Sequence, residues 1–290
     1  MHCIKFLTIV LLLGLARGQL PDVVMESDSG VPAVVLFFDD GYYSVYQYAC
    51  PLLKKYKMTA SLGIIASYVK EIATNPNRGP NSFMIKKEIQ EMIDSLSVEI
   101  ASHSVSHPRM IDLEDTMLIK YELSVSKEIL ESLFDQKIIT FVYPYGRYDD
   151  RIVRMTAEAG YKIGRTCDFG EPNFWIARYK VPIREVRDTM SVKEIIDHIK
   201  RHDETVLVFH RIVPNPQVFT EYSVSRLDSL LSVLKNMKIP VYTLQGLYDY
   251  WRKNTLQKAI LERGLLDRKN WEFLLFQKVD IDQTRSDSRF

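Results

Sequence analysis

Between Val31 and Tyr250 short β-rich runs alternate with amphipathic helical stretches, and this alternation restricts the chain to an α/β fold with a mainly parallel sheet. Seven runs read as strands, at 33–38, 60–65, 98–101, 138–143, 161–165, 205–209 and 240–243. Helical patterns fall at 44–56, 85–96, 113–134, 149–159, 192–201, 223–237 and from 244 to about 253. Seven such units suggest a barrel formed as a single domain over 31–250. Ser191, with Glu194 three positions on, has the arrangement of a capping box. Residues 75–82 (NPNRGPNS) are dense in turn formers and read as a surface loop that would border a substrate groove.

The ends of the chain differ from this core. Residues 1–5 carry a positive charge and 6–16 (FLTIVLLLGLA) are uninterruptedly apolar, about eleven residues where a bilayer span needs about 20. The segment 1–18 therefore reads as a signal peptide cleaved after Gly18, with an uncleaved anchor as the alternative. This places the mature chain outside the cell or in the periplasm or cell envelope, with no integral span after cleavage. The span 251–290 reads as a helical extension, with a helical stretch near 256–266, an apolar run at 271–276 and a polar tail. Across 290 residues, 38 Lys+Arg against 37 Asp+Glu give a formal charge of +1, which excludes nucleic acid gathered by bulk charge. Of three cysteines, Cys3 leaves with the signal; Cys50 and Cys167 stay open between one disulfide and two buried thiols.

Barrel enzymes place their chemistry where strands end and loops begin. The first strand, AVVLFF, runs into Asp39-Asp40-Gly41, and two carboxylates after six apolar residues call for a cation. The third run ends in Ser102-His103-Ser104-Val105-Ser106-His107-Pro108. Two imidazoles four apart share a face in one helical turn, and with Asp40 they make a two-His, one-Asp metal site with open positions. His198 and His202 repeat the spacing, but among Lys200, Arg201, Asp203 and Glu204 they read as a solvated helix face. The fourth run continues into Pro144-Tyr145-Gly146, a rigid loop whose Tyr145 N–H is a candidate donor to an oxyanion. The sixth ends in His210, a candidate general acid.

Taken in order, FFDDG at 37–41, HSVSH at 103–107, YPYG at 143–146 and FHRI at 209–212 resemble the motifs of the polysaccharide deacetylase family, also called the NodB-homology domain or carbohydrate esterase family 4. The resemblance covers roughly 34–248. It implies a distorted (β/α) barrel and metal-dependent removal of acetyl groups from N-acetylglucosamine residues of a polysaccharide such as peptidoglycan, chitin oligomers or poly-N-acetylglucosamine. Asp39 would be the base, Asp40, His103 and His107 the metal ligands and His210 the acid. Zn²⁺ is the expected ion, with Co²⁺, Ni²⁺ and Mn²⁺ open.

One departure stands out. Many members carry an arginine two residues before the Pro-Tyr of the third motif, where this chain has Phe141-Val142-Tyr143. Arg184, in VPIREV (181–186), is the candidate replacement for orienting the base. Phe174 and Trp175 are open between stacking on a sugar and packing in the core. The competing readings are a carbohydrate-binding protein without catalysis, and a metal-dependent amidase or phosphoesterase on a similar barrel.

Overall fold

The structure is a computed structural model and describes residues 32–263 except Thr74 and Pro76. The segment 1–18 read as a signal peptide, the apolar run at 271–276 and the polar tail lie outside the described residues. No helix among the described residues is long and apolar enough to cross a membrane.

Seven parallel strands close on themselves: β1 (Ala33–Phe38), β2 (Ser61–Ile64), β3 (Glu99–Ser102), β4 (Thr140–Val142), β5 (Ile163–Phe169), β6 (Val181–Glu185) and β7 (Glu204–Phe209). Closure runs along the whole of β1, from Ala33 opposite Glu204 to Phe38 opposite Phe209. The chain is thus a (β/α) barrel. Its seven strands are not quite the seven read from sequence. Val181–Glu185 is a barrel strand whose short run, interrupted by Pro182, carries little pattern. The run at 240–243 becomes a two-residue strand outside the barrel, paired with β1 through Val34 and Val35.

Every residue of β1 is buried, as expected for a strand covered on both faces. The side-chain period of two splits it. Ala33, Val35 and Phe37 join Val142, Ile163, Val181, Ile183, Val206 and Val208 in the barrel interior. Val34, Leu36 and Phe38 pack instead in the larger core that includes the surrounding helices. The α-helices among the described residues are α1 (Cys50–Tyr56), α2 (Lys86–Leu96), α3 (Thr116–Phe134), α4 (Asp150–Glu158), α5 (Phe174–Ala177), α6 (Val192–Ile199), α7 (Val224–Asn236) and α8 (Leu244–Arg263), of which α5 and α8 pack on the interior core. Asp115 and Asp149 cap α3 and α4 by accepting from Met117 and Ile152 N–H, and Ser191 with Glu194 forms the expected capping box on α6.

The helical extension is one continuous helix to Arg263, and it seals the end of the barrel where the strands begin. Leu244, Leu247 and Tyr248 enter the interior core, while the Leu244 and Gln245 N–H groups donate to Ser61 Oγ and Glu99 Oε2 at the starts of β2 and β3. Phe174 is buried against Tyr248 and Trp251 at this end, so it is a core residue and no sugar platform. The Trp175 side chain lies outside the description. Cys50 is buried and Cys167 exposed, both as free thiols, which removes the disulfide.

Candidate active site

The opposite end of the barrel collects the polar residues, and the same period of two explains how. Asp39 continues the inward row Ala33, Val35, Phe37; His103 follows Ala101; Arg165 follows Ile163; His210 follows Val206 and Val208. Four inward rows, from β1, β3, β5 and β7, therefore bring an acid, two imidazoles and a guanidinium around one axis.

Asp39 is 2% exposed, and its N–H donates to Phe209 O at 2.9 Å. Its Oδ1 accepts from Arg165 Nη2, and its Oδ2 lies 3.9 Å from His210 Nε2. Gly63 leaves room for this: a Cβ there would stand 3.1 Å from Asp39 Oδ1. Arg165 is fully buried, with Nη1 donating to Thr166 O at 3.1 Å and its guanidinium 5.0 Å from the Phe37 ring. Burial opposes its charge, yet the Asp39 carboxylate overrides that and raises its pKa.

Arg165 therefore stands where Arg184 was expected. On β6, Val181 and Ile183 face inward, so Arg184 points out of the barrel, toward Met190 Sδ at 3.8 Å and the Phe169 ring at 5.2 Å. The signal for Arg165 was available: an arginine inside an apolar strand needs a buried anion.

Asp40 Oδ1 lies 3.4 Å from His103 Nε2 and 3.6 Å from His107 Nε2, and one ligand atom from each falls within 4.8 Å of the others. This is the one cluster of three or more potential metal-ligating side chains found among the described residues. The histidines do not share a helical turn. They converge through an irregular loop with left-handed backbone at Ser104 (φ 66°) and His107 (φ 61°). Asp40 (φ 69°) and Tyr145 (φ 57°) adopt it too. Of the eight non-glycine residues with positive φ among the described residues, these four surround the site, whereas Lys57, Ser97 and Asp135 end helices and Lys238 follows α7. Strain of this kind marks backbone held for a purpose.

Glu122 on α3 holds the loop. Its Oε2 accepts from Val105 and Ser106 N–H at 2.8 and 2.9 Å, and its Oε1 accepts from Ser106 Oγ at 2.7 Å. Sequence reasoning did not single it out, because one glutamate on an amphipathic helix looks like any other.

The donors fit a divalent cation. His103 Nδ1–H donates to Val142 O at 2.9 Å, which fixes the ring with Nε2 toward Asp40. Burial, reinforced by His103, lowers the His107 pKa to about 4, so that ring is neutral at neutral pH. Burial would raise Asp40, but His103, His210 and His107 outweigh it and hold the carboxyl well below its ordinary range. Unprotonated imidazole and carboxylate are the forms that bind a cation.

Pro144–Gly146 form a single tight turn after β4, and the Tyr145 ring lies 4.6 Å from that of His107. The Tyr145 N–H meets no backbone acceptor among the described residues. His198 and His202 stack 4.1 Å apart on and just after α6, away from this cluster. The solvated-face reading fails for His198, which is 6% exposed, with burial lowering its pKa to about 4.

The polysaccharide deacetylase family model matches residues 26–164, which carry the Asp pair, both histidines of the loop and the 143–146 turn. This region is similar to the polysaccharide deacetylase family. The poly-β-1,6-N-acetyl-D-glucosamine N-deacetylase of Staphylococcus aureus (strain MSSA476) is 29% identical over 140 residues, 46% of this chain and 47% of that protein. YxkH of Bacillus subtilis (strain 168), which bears a polysaccharide deacetylase name, is 29% identical over 137 residues, 47% of this chain and 45% of its own. The chain thus spans about half the length of these relatives. Among solved structures, the deacetylase PplD of Streptococcus pyogenes in complex with acetate superposes with a TM-score of 0.52 at 24% identity, covering 64% of this chain and 75% of that one. At that identity the likeness is one of fold. Arg165, at the edge of the matched region, and His210, beyond it, are attached to the family site by the barrel geometry alone.

Proposed function

We propose that the chain is a metal-dependent hydrolase that removes N-acetyl groups from N-acetylglucosamine residues of a polysaccharide, exported under its 1–18 signal segment. The observation that carries this reading is the gathering of Asp40, His103 and His107 beside an inward Asp39 that is tied to Arg165 and lies 3.9 Å from His210. A divalent cation held by the three ligands, Zn²⁺ being the expected one, supplies Lewis acidity toward the acetamide carbonyl and an acidified water.

The chain's own groups divide the proton work. Asp39, paired with Arg165, accepts the proton of the attacking water. The Tyr145 N–H donates to the carbonyl oxygen as it gains charge. His210 gives its proton to the departing amine, leaving acetate and a glucosamine unit. Each acid–base group is worth roughly 10²–10⁴-fold in rate.

The decisive assay is acetate release from peptidoglycan, chitin oligomers and β-1,6-linked poly-N-acetylglucosamine, with and without chelator and after return of Zn²⁺. The name of the S. aureus relative makes the β-1,6 polymer the first to try. Activity that is lost on chelation, returns with metal and is absent in Asp39→Asn is the expected result. A protein that binds the metal and a polymer but releases no acetate would sink the catalytic reading in favour of a binding protein. Release from monomeric N-acetylglucosamine alone would favour a small-molecule amidase.

A further inference from the structure

Arg184, which the catalytic end leaves unused, stands on the outer wall of the barrel. Val181 and Ile183 of β6 face the interior, so Arg184 faces the opposite way. Its one hydrogen bond among the described residues runs from Nη2 to Met190 Sδ at 3.8 Å, and no carboxylate pairs with it there. The acids on the adjoining segments are committed elsewhere. Glu185 pairs with Arg187, Glu194 accepts from the Ser191 N–H and Oγ, and Asp197 pairs with Lys193. A half-buried guanidinium whose only bond is to a thioether is short of a partner.

Phe169 links Arg184 to α6. Its ring centre lies 5.2 Å from the Arg184 guanidinium and 5.7 Å from the His198 ring, and it is 67% exposed. The connection from β5 to β6 holds only the four-residue α5, whose Phe174 packs on Tyr248 and Trp251 at the end where the strands begin. His198 is 6% exposed, yet neither of its ring nitrogens has a hydrogen-bond partner among the described residues. His202 stacks on it at 4.1 Å and donates Nδ1–H to His198 O at 2.7 Å, which leaves its own Nε2 open. Burial lowers the His198 pKa, and the charged neighbours that act on it, His202, Arg184 and Arg201, all push the same way. That positive surrounding disfavours a metal cation at the histidine pair.

We propose that Arg184, His198 and His202 form a site for an oxyanion, a phosphate or carboxylate group, on the outside of the barrel beside α6. Arg184 offers a planar fork of donors that matches either group. A neutral imidazole carries one N–H, so His198 supplies a second donor from a ring that is held by its packing. The exposed Phe169 ring gives the rest of an anion-bearing molecule an apolar surface to lie against. The site stands apart from the Asp40–His103–His107 cluster and does not depend on the deacetylase reading.

The test titrates the full chain with inorganic phosphate and with acetate at neutral pH, followed by NMR at the His198 and His202 ring nitrogens, with ionic strength held constant to fix screening. The expected result is a saturable shift at both rings, half-complete at about 10 mM or below with one anion or both. Affinity should fall roughly 10–150-fold in Arg184→Gln and less in Arg184→Lys, which keeps the charge without the fork. No saturable shift at these two rings with either anion, or one that persists at full affinity in Arg184→Gln, overturns the site. Should Arg184→Gln not fold, His198→Phe keeps a ring between Phe169 and His202 but has no donor, and unchanged affinity read at His202 overturns the site equally. Oligogalacturonate and polyphosphate then separate the sources. Tighter binding of the chain than of its free ion places the anion on a polymer, equal binding makes it a free ion, and both uphold the site.

Discussion

Replacing Arg165 by Met removes one partner of a fully buried ion pair and leaves Asp39, at 2% exposure, without its counter-charge. His210, 3.9 Å away, is too distant to take over the hydrogen bond. Breaking a buried pair from one side costs about 3–5 kcal/mol, because the remaining charge stays desolvated. For a chain of this size that corresponds to a fall of roughly 6–20 °C in Tm. Arg165 Nε has no partner even in the native fold, and the Nη1 bond to Thr166 O is the further hydrogen bond the variant gives up. Urea denaturation in chelator, which takes metal binding out of the comparison, of wild type, Arg165→Met, Asp39→Asn and the double variant closes the cycle. Asp39→Asn should recover at least about 2 kcal/mol when introduced into Arg165→Met, since it deletes the orphaned charge. Additive losses, or an Arg165→Met cost below about 1 kcal/mol, would refute the pairing.

Other consequences are as concrete. Glu122→Gln keeps the shape of the side chain but removes the charge that anchors Val105 and Ser106, so Zn²⁺ affinity by competition titration should drop about 10–100-fold while the fold persists. Gly146→Ala would set a Cβ 2.8 Å from Cys167 N at a φ of 64° and should cost more than the roughly 1–2 kcal/mol of a left-handed L-residue; thermal melting checks it. His198 has a folded pKa of about 4, below its ordinary 6.5, so its contribution to stability is present above pH 6.5 and is lost as pH falls toward 4. Stability measured across that window should decline less steeply in His198→Gln, and an identical decline would remove His198 as the cause.

Much of the site was legible because its chemistry sits at the ends of apolar runs, where a polar residue has to be explained. Asp39, Asp40, His103, His107 and His210 all follow such runs, and the structure brings all five to one rim. What escaped was of two kinds. Arg165 and Glu122 lie within regular elements and act on residues 126 and 16–17 positions away, a separation no local pattern records. The short β6 escaped because five residues with a proline carry almost no periodicity, and its parity is what turns Arg184 outward.

By itself the sequence determined the α/β alternation and singled out the candidate metal-ligating and acid–base groups by their places after the strands, because hydrophobic period and the cost of burying charge act over a few residues. Only the tertiary structure decided which strands close the barrel, which arginine meets Asp39, and that the paired histidines converge through a strained loop instead of a helical turn. Those outcomes depend on strand register, which turns each alternate side chain inward or outward, and register is settled by pairing between segments far apart in the chain.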